Sequence, residues 1–147
     1  TAPDACAVGL DAAPKMIAMA RRKAAGQDRL RFDVGVAERL EYAAGSFDCA
    51  ISTFFFHHVD AELKRKALAE MHRVVKPDGR IAIVDVDVPE DVLGRICAWS
   101  GYWLFKQEEI RENIRGDLRR ALAEAPFREV ERVSRHFGYI SVFGIVN

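Results

Sequence analysis

Residues 45–86, GSFDCAISTFFFHHVDAELKRKALAEMHRVVKPDGRIAIVDV, decide the fold. Gly45-Ser46 reads as a turn, and Phe47 to Thr53 as a strand centred on Ala50 and Ile51. Asp60 can cap a helix. Leu63, Ala67, Leu68, Met71, Val74 and Val75 lie on one stripe at helical spacing, which predicts a helix running to about Val75. Pro77-Asp78-Gly79 breaks that helix. Ile81-Ala82-Ile83-Val84 is a continuous apolar run, the pattern of a strand covered on both faces.

The flanks repeat the alternation. Ala7-Val8-Gly9-Leu10 reads as a buried strand ending at Asp11. Ala13-Pro14 opens a helix, since proline is tolerated in a first turn. Met16, Ile17, Ala20 and Ala24 recur at helical spacing, Arg21, Arg22 and Lys23 suit the C-terminal end, and Gly26 is a stop. Leu30 to Val34 is a strand, and Ala37 to Leu40 reads as one helical turn. Downstream, helical pieces fill Glu90 to Ala125. Val130 to Phe137 and Tyr139 to Val146 form a tight hairpin at Gly138, with a bulge where the alternation slips between Glu131 and Val133. The class is α/β: a doubly wound, mostly parallel sheet with a C-terminal antiparallel hairpin.

Composition narrows the function. A length of 147 residues, half of them hydrophobic, is one domain's worth of sequence. Lys plus Arg equals Asp plus Glu at 22 each, which argues against bulk nucleic acid as a partner and leaves room for a single anionic ligand. Cys6, Cys49 and Cys97 form no CxxC or Cys/His cluster. They read as buried free thiols in a reducing, cytoplasmic compartment. The apolar run from Ala50 to Phe56 is too short to span a bilayer, and no signal peptide is visible.

In a doubly wound sheet, ligands sit outside the C-terminal ends of the parallel strands. Asp11, Val36-Ala37, Thr53 to His58, Asp85 and Asp87 fall there. Asp11 can accept hydrogen bonds from ribose hydroxyls, or it can simply suit a helix N-terminus. His57 or His58 can serve as a general base, because histidine titrates near neutral pH; the competing reading is a structural or cofactor-contact role. No third ligand is spaced for a metal. Phe54, Phe55 and Phe56 read as core. Asp85 and Asp87 share one strand face, either as a metal-chelating Asp-x-Asp or, preferred here, as a polar strand end near solvent. Trp99, Tyr102, Trp103 and Phe105 read as an edge-packing helix or as an aromatic lid.

GLDAAPKMIAMARRK (residues 9–23), GSFDCAISTFFFHHV (45–59) and MHRVVKPDGRIAIVDV (71–86) resemble, in order, three segments of the class I S-adenosylmethionine-dependent methyltransferases. The likeness is to the small-molecule branch related to ubiquinone and menaquinone biosynthesis, and GYISVFGIVN (138–147) resembles that family's last strand. The resemblance implies a Rossmann-like fold, S-adenosyl-L-methionine as cofactor and a small-molecule acceptor. It puts the ribose-binding acid on Asp11 and sets Ala12, Met16, Val36 and Ala37 around the adenine. Thr53 and Phe54 fall near the methionine portion, and Trp99, Tyr102 and Trp103 near the acceptor. Residues 1–147 then form a single domain, with a helical lid or substrate region at 89–125.

Three features depart from the family. Val36 stands where an acid often binds the adenine amine, and Ala13 replaces a capping serine. The family's first strand, first helix and glycine-rich loop have no counterpart, so the chain reads as N-terminally truncated and by itself inactive. Two other readings stay open: a non-catalytic methyltransferase-like binding module, and another nucleotide-binding transferase or dehydrogenase on a related fold.

Overall fold

A computed structural model describes residues 5–147. The chain forms two compact units, one reaching to Glu41 and the other starting at Tyr42. In the first, strand β1 (Ala7–Asp11), helix α1 (Pro14–Lys23) and strand β2 (Leu30–Val34) make a right-sized β-α-β element, with β1 and β2 parallel. Gly9 lies opposite Phe32, and a Cβ there would sit 2.7 Å from the Phe32 ring, so glycine makes room for the aromatic. Pro14 occupies the first turn of α1, and Ile17 is its buried residue. Arg21 Nε donates to the Phe32 carbonyl at 3.1 Å, tying helix to strand. The helical turn expected over Ala37 to Leu40 is a bridged turn instead, with Arg39 N donating to Val36 O.

The second unit contains strand β3 (Phe47–Thr53), a 3-10 turn (Phe56–His58), helix α2 (Ala61–Val74) and strand β4 (Val75–Val86). Helices α3 (Val92–Phe105), α4 (Glu108–Ile114) and α5 (Asp117–Glu124) follow, then strands β5 (Glu129–His136) and β6 (Ile140–Val146). The sheet order is β3-β4-β6-β5, with β3 and β4 parallel and the other pairs antiparallel. Asp60 caps α2 by accepting from Leu63 N at 2.8 Å. His136 pairs with Ile140, and the turn between them is closed by Tyr139 N donating to His136 O, with Phe137 and Gly138 at its centre, both at positive φ (51° and 71°). The bulge falls at Val133, between Arg132 and Ser134.

Pro77-Asp78-Gly79 does end the helix, but it lies inside β4 rather than ahead of it. Phe47 pairs with Val75 and Cys49 with Arg80, so the intervening residues of β4 bulge out of the ladder. A Cβ on Gly79 would lie 2.5 Å from Val75 Cγ1, which is why a glycine stands there.

The Ile81–Val84 strand is covered on one face rather than on both. Ile81, Ile83, Phe143 and Ile145 are buried together with Leu68, Val74, Leu118 and Leu122 of the helices. Residues of the opposite parity are only half-buried, and Ile51 is 71% exposed. The cysteines follow the same correction: Cys6 and Cys49 are exposed and Cys97 half-buried. Among the described residues no helix is long and apolar enough to cross a membrane.

Candidate functional site

The C-terminal ends of the parallel strands gather the chemistry within each unit. In the first unit Asp11 ends β1 opposite Val34, and Gly35 N donates to Asp11 O, so Val36 and Ala37 emerge beside it. Asp11 is exposed. Its Oδ1 accepts from Ala13 N at 2.7 Å, which fixes the carboxylate at the entrance to α1. Ala12 is exposed on the same bend, and Met16 is half exposed. Asp11, Ala12, Val36 and Ala37 therefore share one end of the β1–β2 pair.

In the second unit the exit of β3 is held by β4. Phe54 N donates to Val84 O at 2.8 Å, and Phe54 takes a left-handed conformation (φ 53°) that turns the chain into the 3-10 turn. Thr53 and Phe54 are exposed and Phe56 is fully buried, so of the three phenylalanines read as core only Phe56 is wholly enclosed. His57 is nearly buried and His58 exposed. Their rings lie 3.9 Å apart, and Phe54 meets His57 edge-on at 6.1 Å.

Asp85 and Asp87 overturn the preferred reading of a polar strand end near solvent, since both are completely buried. Each has its own polar surroundings. Asp85 accepts from Phe56 N and Val86 N, each at 2.7 Å, and its Oδ1 lies 2.8 Å from His57 Nδ1. Asp87 faces Arg119 of α5 and Ser141 of β6. Among the described residues no group of three His, Cys, Asp or Glu is arranged to hold a metal ion.

The aromatic segment is partly core. Trp99 and Tyr102 pack on Val86, Ala98, Ile110 and Ile114, while Trp103 is 72% exposed. Tyr102 sits between the two indoles in edge contacts at 5.7 and 6.4 Å. Asp91 caps α3 by accepting from Gly94 N, and Lys106 ends it in a left-handed conformation. Gln107 then starts α4 and places its Oε1 3.1 Å from His58 Nδ1.

One residue at this end, Lys64, went unread in the sequence, and another, Asp85, was misread. Lys64 is fully buried and donates to Val59 O at 2.6 Å, anchoring the exit of the 3-10 turn to α2. The parity of Asp85 matches Ile81 and Ile83, and an acid on the inward parity of a buried strand demands a partner; that signal was available.

Residues 2–83, more than half of the chain, match the family described as methyltransferase domain. The chain is 38% identical over 86 residues to an uncharacterized methyltransferase, YcgJ, of Bacillus subtilis. It is 40% identical over 90 residues to a demethylmenaquinone methyltransferase of Thermus thermophilus. These alignments take in 57% and 60% of this chain but 33% and 40% of the relatives, so the chain spans less than half the length of either. A SAM-dependent methyltransferase structure from Methanosarcina mazei superposes at a TM-score of 0.64. That superposition covers 95% of this chain and 79% of the other at 17% identity, which shows a shared fold. With the three sequence segments folded as strand and helix, as strand, and as helix and strand, in the order the resemblance requires, the chain belongs to the methyltransferase-domain family.

Proposed function

We propose that the protein acts in the cytoplasm to transfer the methyl group of S-adenosylmethionine to a small-molecule acceptor. The observation that carries this reading is the family match over residues 2–83, which includes Asp11 at the end of β1. Asp11 fits the cofactor's ribose: one oxygen is held by Ala13 N, and the carboxylate stays exposed with capacity to accept from a diol. Val36 offers no polar side chain to an adenine, so with Ala12, Met16 and Ala37 it supplies apolar and backbone lining. Thr53 and Phe54 would border the methionine portion.

S-adenosylmethionine supplies a methyl group already made electrophilic by its sulfonium. The protein's own contribution is alignment of the acceptor and exclusion of water. His57 or His58 would take a proton from the acceptor, and Trp99, Tyr102 and Trp103 would wall its pocket. The relatives named for demethylmenaquinone support an aromatic acceptor.

The test is label transfer from methyl-labelled S-adenosylmethionine to a panel of hydroxylated aromatics, using the complete protein. Transfer to at least one acceptor is expected. Cofactor binding without transfer to any of them would favour a binding module.

A further inference from the structure

His57 and Asp85 are built as a unit. Asp85 is fully buried at the end of β4, and both of its oxygens are engaged: Oδ2 by Phe56 N, Oδ1 by Val86 N and by His57 Nδ1 at 2.8 Å. A carboxylate cannot donate, so Nδ1 of His57 must carry the proton. The neutral ring is thereby fixed with its Nε2 lone pair free. Nε2 has no hydrogen-bond partner among the described residues, and it is not among the sealed, unsatisfied atoms of the interior. The imidazole is thus nearly buried, with one nitrogen on a carboxylate and the other open. His58 differs: it is exposed, and its Nδ1 faces the neutral amide of Gln107, which offers no charge to stabilise an imidazolium.

Resting on the methyl-transfer reading, we infer that His57 is the general base and Asp85 its positioning residue, for an acceptor that loses a proton on methylation. The bond from the acceptor's nucleophilic atom to hydrogen breaks, and its electron pair forms the new bond to the methyl carbon. The C–S bond breaks with its pair staying on sulfur, and the proton passes to His57 Nε2 and then to solvent. Asp85 holds the ring in the required tautomer and faces the positive charge that develops on it. The 3-10 turn serves the same end, since Phe56 N and His57 Nδ1 hang on one carboxylate and the backbone and ring are set together.

The test combines a tautomer measurement with kinetics. In protein labelled with 15N-histidine, at a pH where His57 is neutral, the nitrogen shifts should report the Nδ1–H form. In Asp85→Asn the amide can donate to Nδ1, and the ring should switch to the Nε2–H form. Methyl transfer by the complete Asp85→Asn protein should fall about 100-fold or more in kcat, with cofactor Kd unchanged. His57→Gln should fall as far, and the double variant no further. An Nε2–H ring in the wild-type protein overturns the proposal, and that measurement needs no variant to fold. Unchanged kcat in Asp85→Asn overturns it as well. If the wild-type protein shows the Nδ1–H ring but methylates no hydroxylated acceptor, the base role falls with the methyl-transfer reading, while the His57–Asp85 pairing stands.

Discussion

Arg119 holds the fully buried carboxylate of Asp87 in a two-pronged ion pair, Nε and Nη2 each donating at 2.7 Å to separate oxygens. Ser141 Oγ donates to the same group at 2.5 Å, so α5, β6 and the end of β4 meet on one acid. Burial pushes the Asp87 carboxyl up, but the hydrogen bonds from Arg119, Ser141 and the Val88 amide, with the Arg119 charge, outweigh it and hold it below its usual range.

Removing one partner of such a pair leaves an uncompensated buried charge. Arg119→Met is expected to destabilise the protein by about 3 kcal/mol. Urea denaturation is the check, and a loss below about 0.5 kcal/mol, the ordinary range of surface substitutions, would show that the pair is not structural.

Glu90 sets an acid limit close by. The guanidinium of Arg132 comes first, opposed by some desolvation, and with those of Arg119 and Arg135 it lowers the Glu90 carboxyl to about 2. A group with a depressed folded value stabilises above its unfolded value, and that contribution is lost as pH falls through the folded value. Stability from Glu90 is therefore full above about 4.5 and fades toward about 2. Asp87 acts in the same sense below the usual carboxylate range. Glu90→Gln should flatten the fall in Tm over this interval. A carboxyl resonance for Glu90 that titrates near 4.5 would contradict the assignment.

The hairpin turn also serves α3. A Cβ on Gly138 would lie 2.5 Å from Asp91 Oδ1, the oxygen that caps α3, and Gly138 sits at positive φ. Gly138→Ala should cost roughly 1–3 kcal/mol by strain, and more where the cap is displaced. Phe137, 76% exposed at φ 51°, is suited to Asn, so Phe137→Asn should raise Tm. A neutral result for Gly138→Ala would mean that turn and cap move apart freely.

Trp103 is exposed and Trp99 half-buried on the same helix. If they wall the acceptor pocket, acceptor should quench their fluorescence well beyond the effect of cofactor alone, and Trp103→Phe should remove most of the change. Emission that responds only to unfolding would leave both as packing residues.

Local chemistry made much of the fold readable. Asp60, Pro14 and Gly138 are a cap, a helix start and a turn whose backbone demands act within a few residues, and the structure has elements beginning or ending beside each; Gly26 lies beyond the end of α1, whose cap is Ala24, and Phe137, read as the last residue of a strand, belongs to the turn. The slip in alternation between Glu131 and Val133 put a bulge within one residue of its place at Val133. What misled was burial. Ile51, Cys49 and Cys6 sit in apolar runs, and the sequence does not say that one face of the β3–β4 pair lies open. At the candidate site, Asp11 and the two histidines were legible from their positions at strand ends. Asp85 and Asp87 were misjudged because their partners, His57 and Arg119, lie 28 and 32 residues away.

The proposed contact between Asp11 and the ribose of S-adenosylmethionine is open to calorimetry. S-adenosylmethionine titrated into the complete protein should bind with one-to-one stoichiometry. Asp11→Ala, losing hydrogen bonds to a charged group worth about 1.5–3 kcal/mol, should weaken that binding roughly 10- to 150-fold. Equal affinity in the two proteins, or no heat of binding in either, would rule out Asp11 as the ribose ligand.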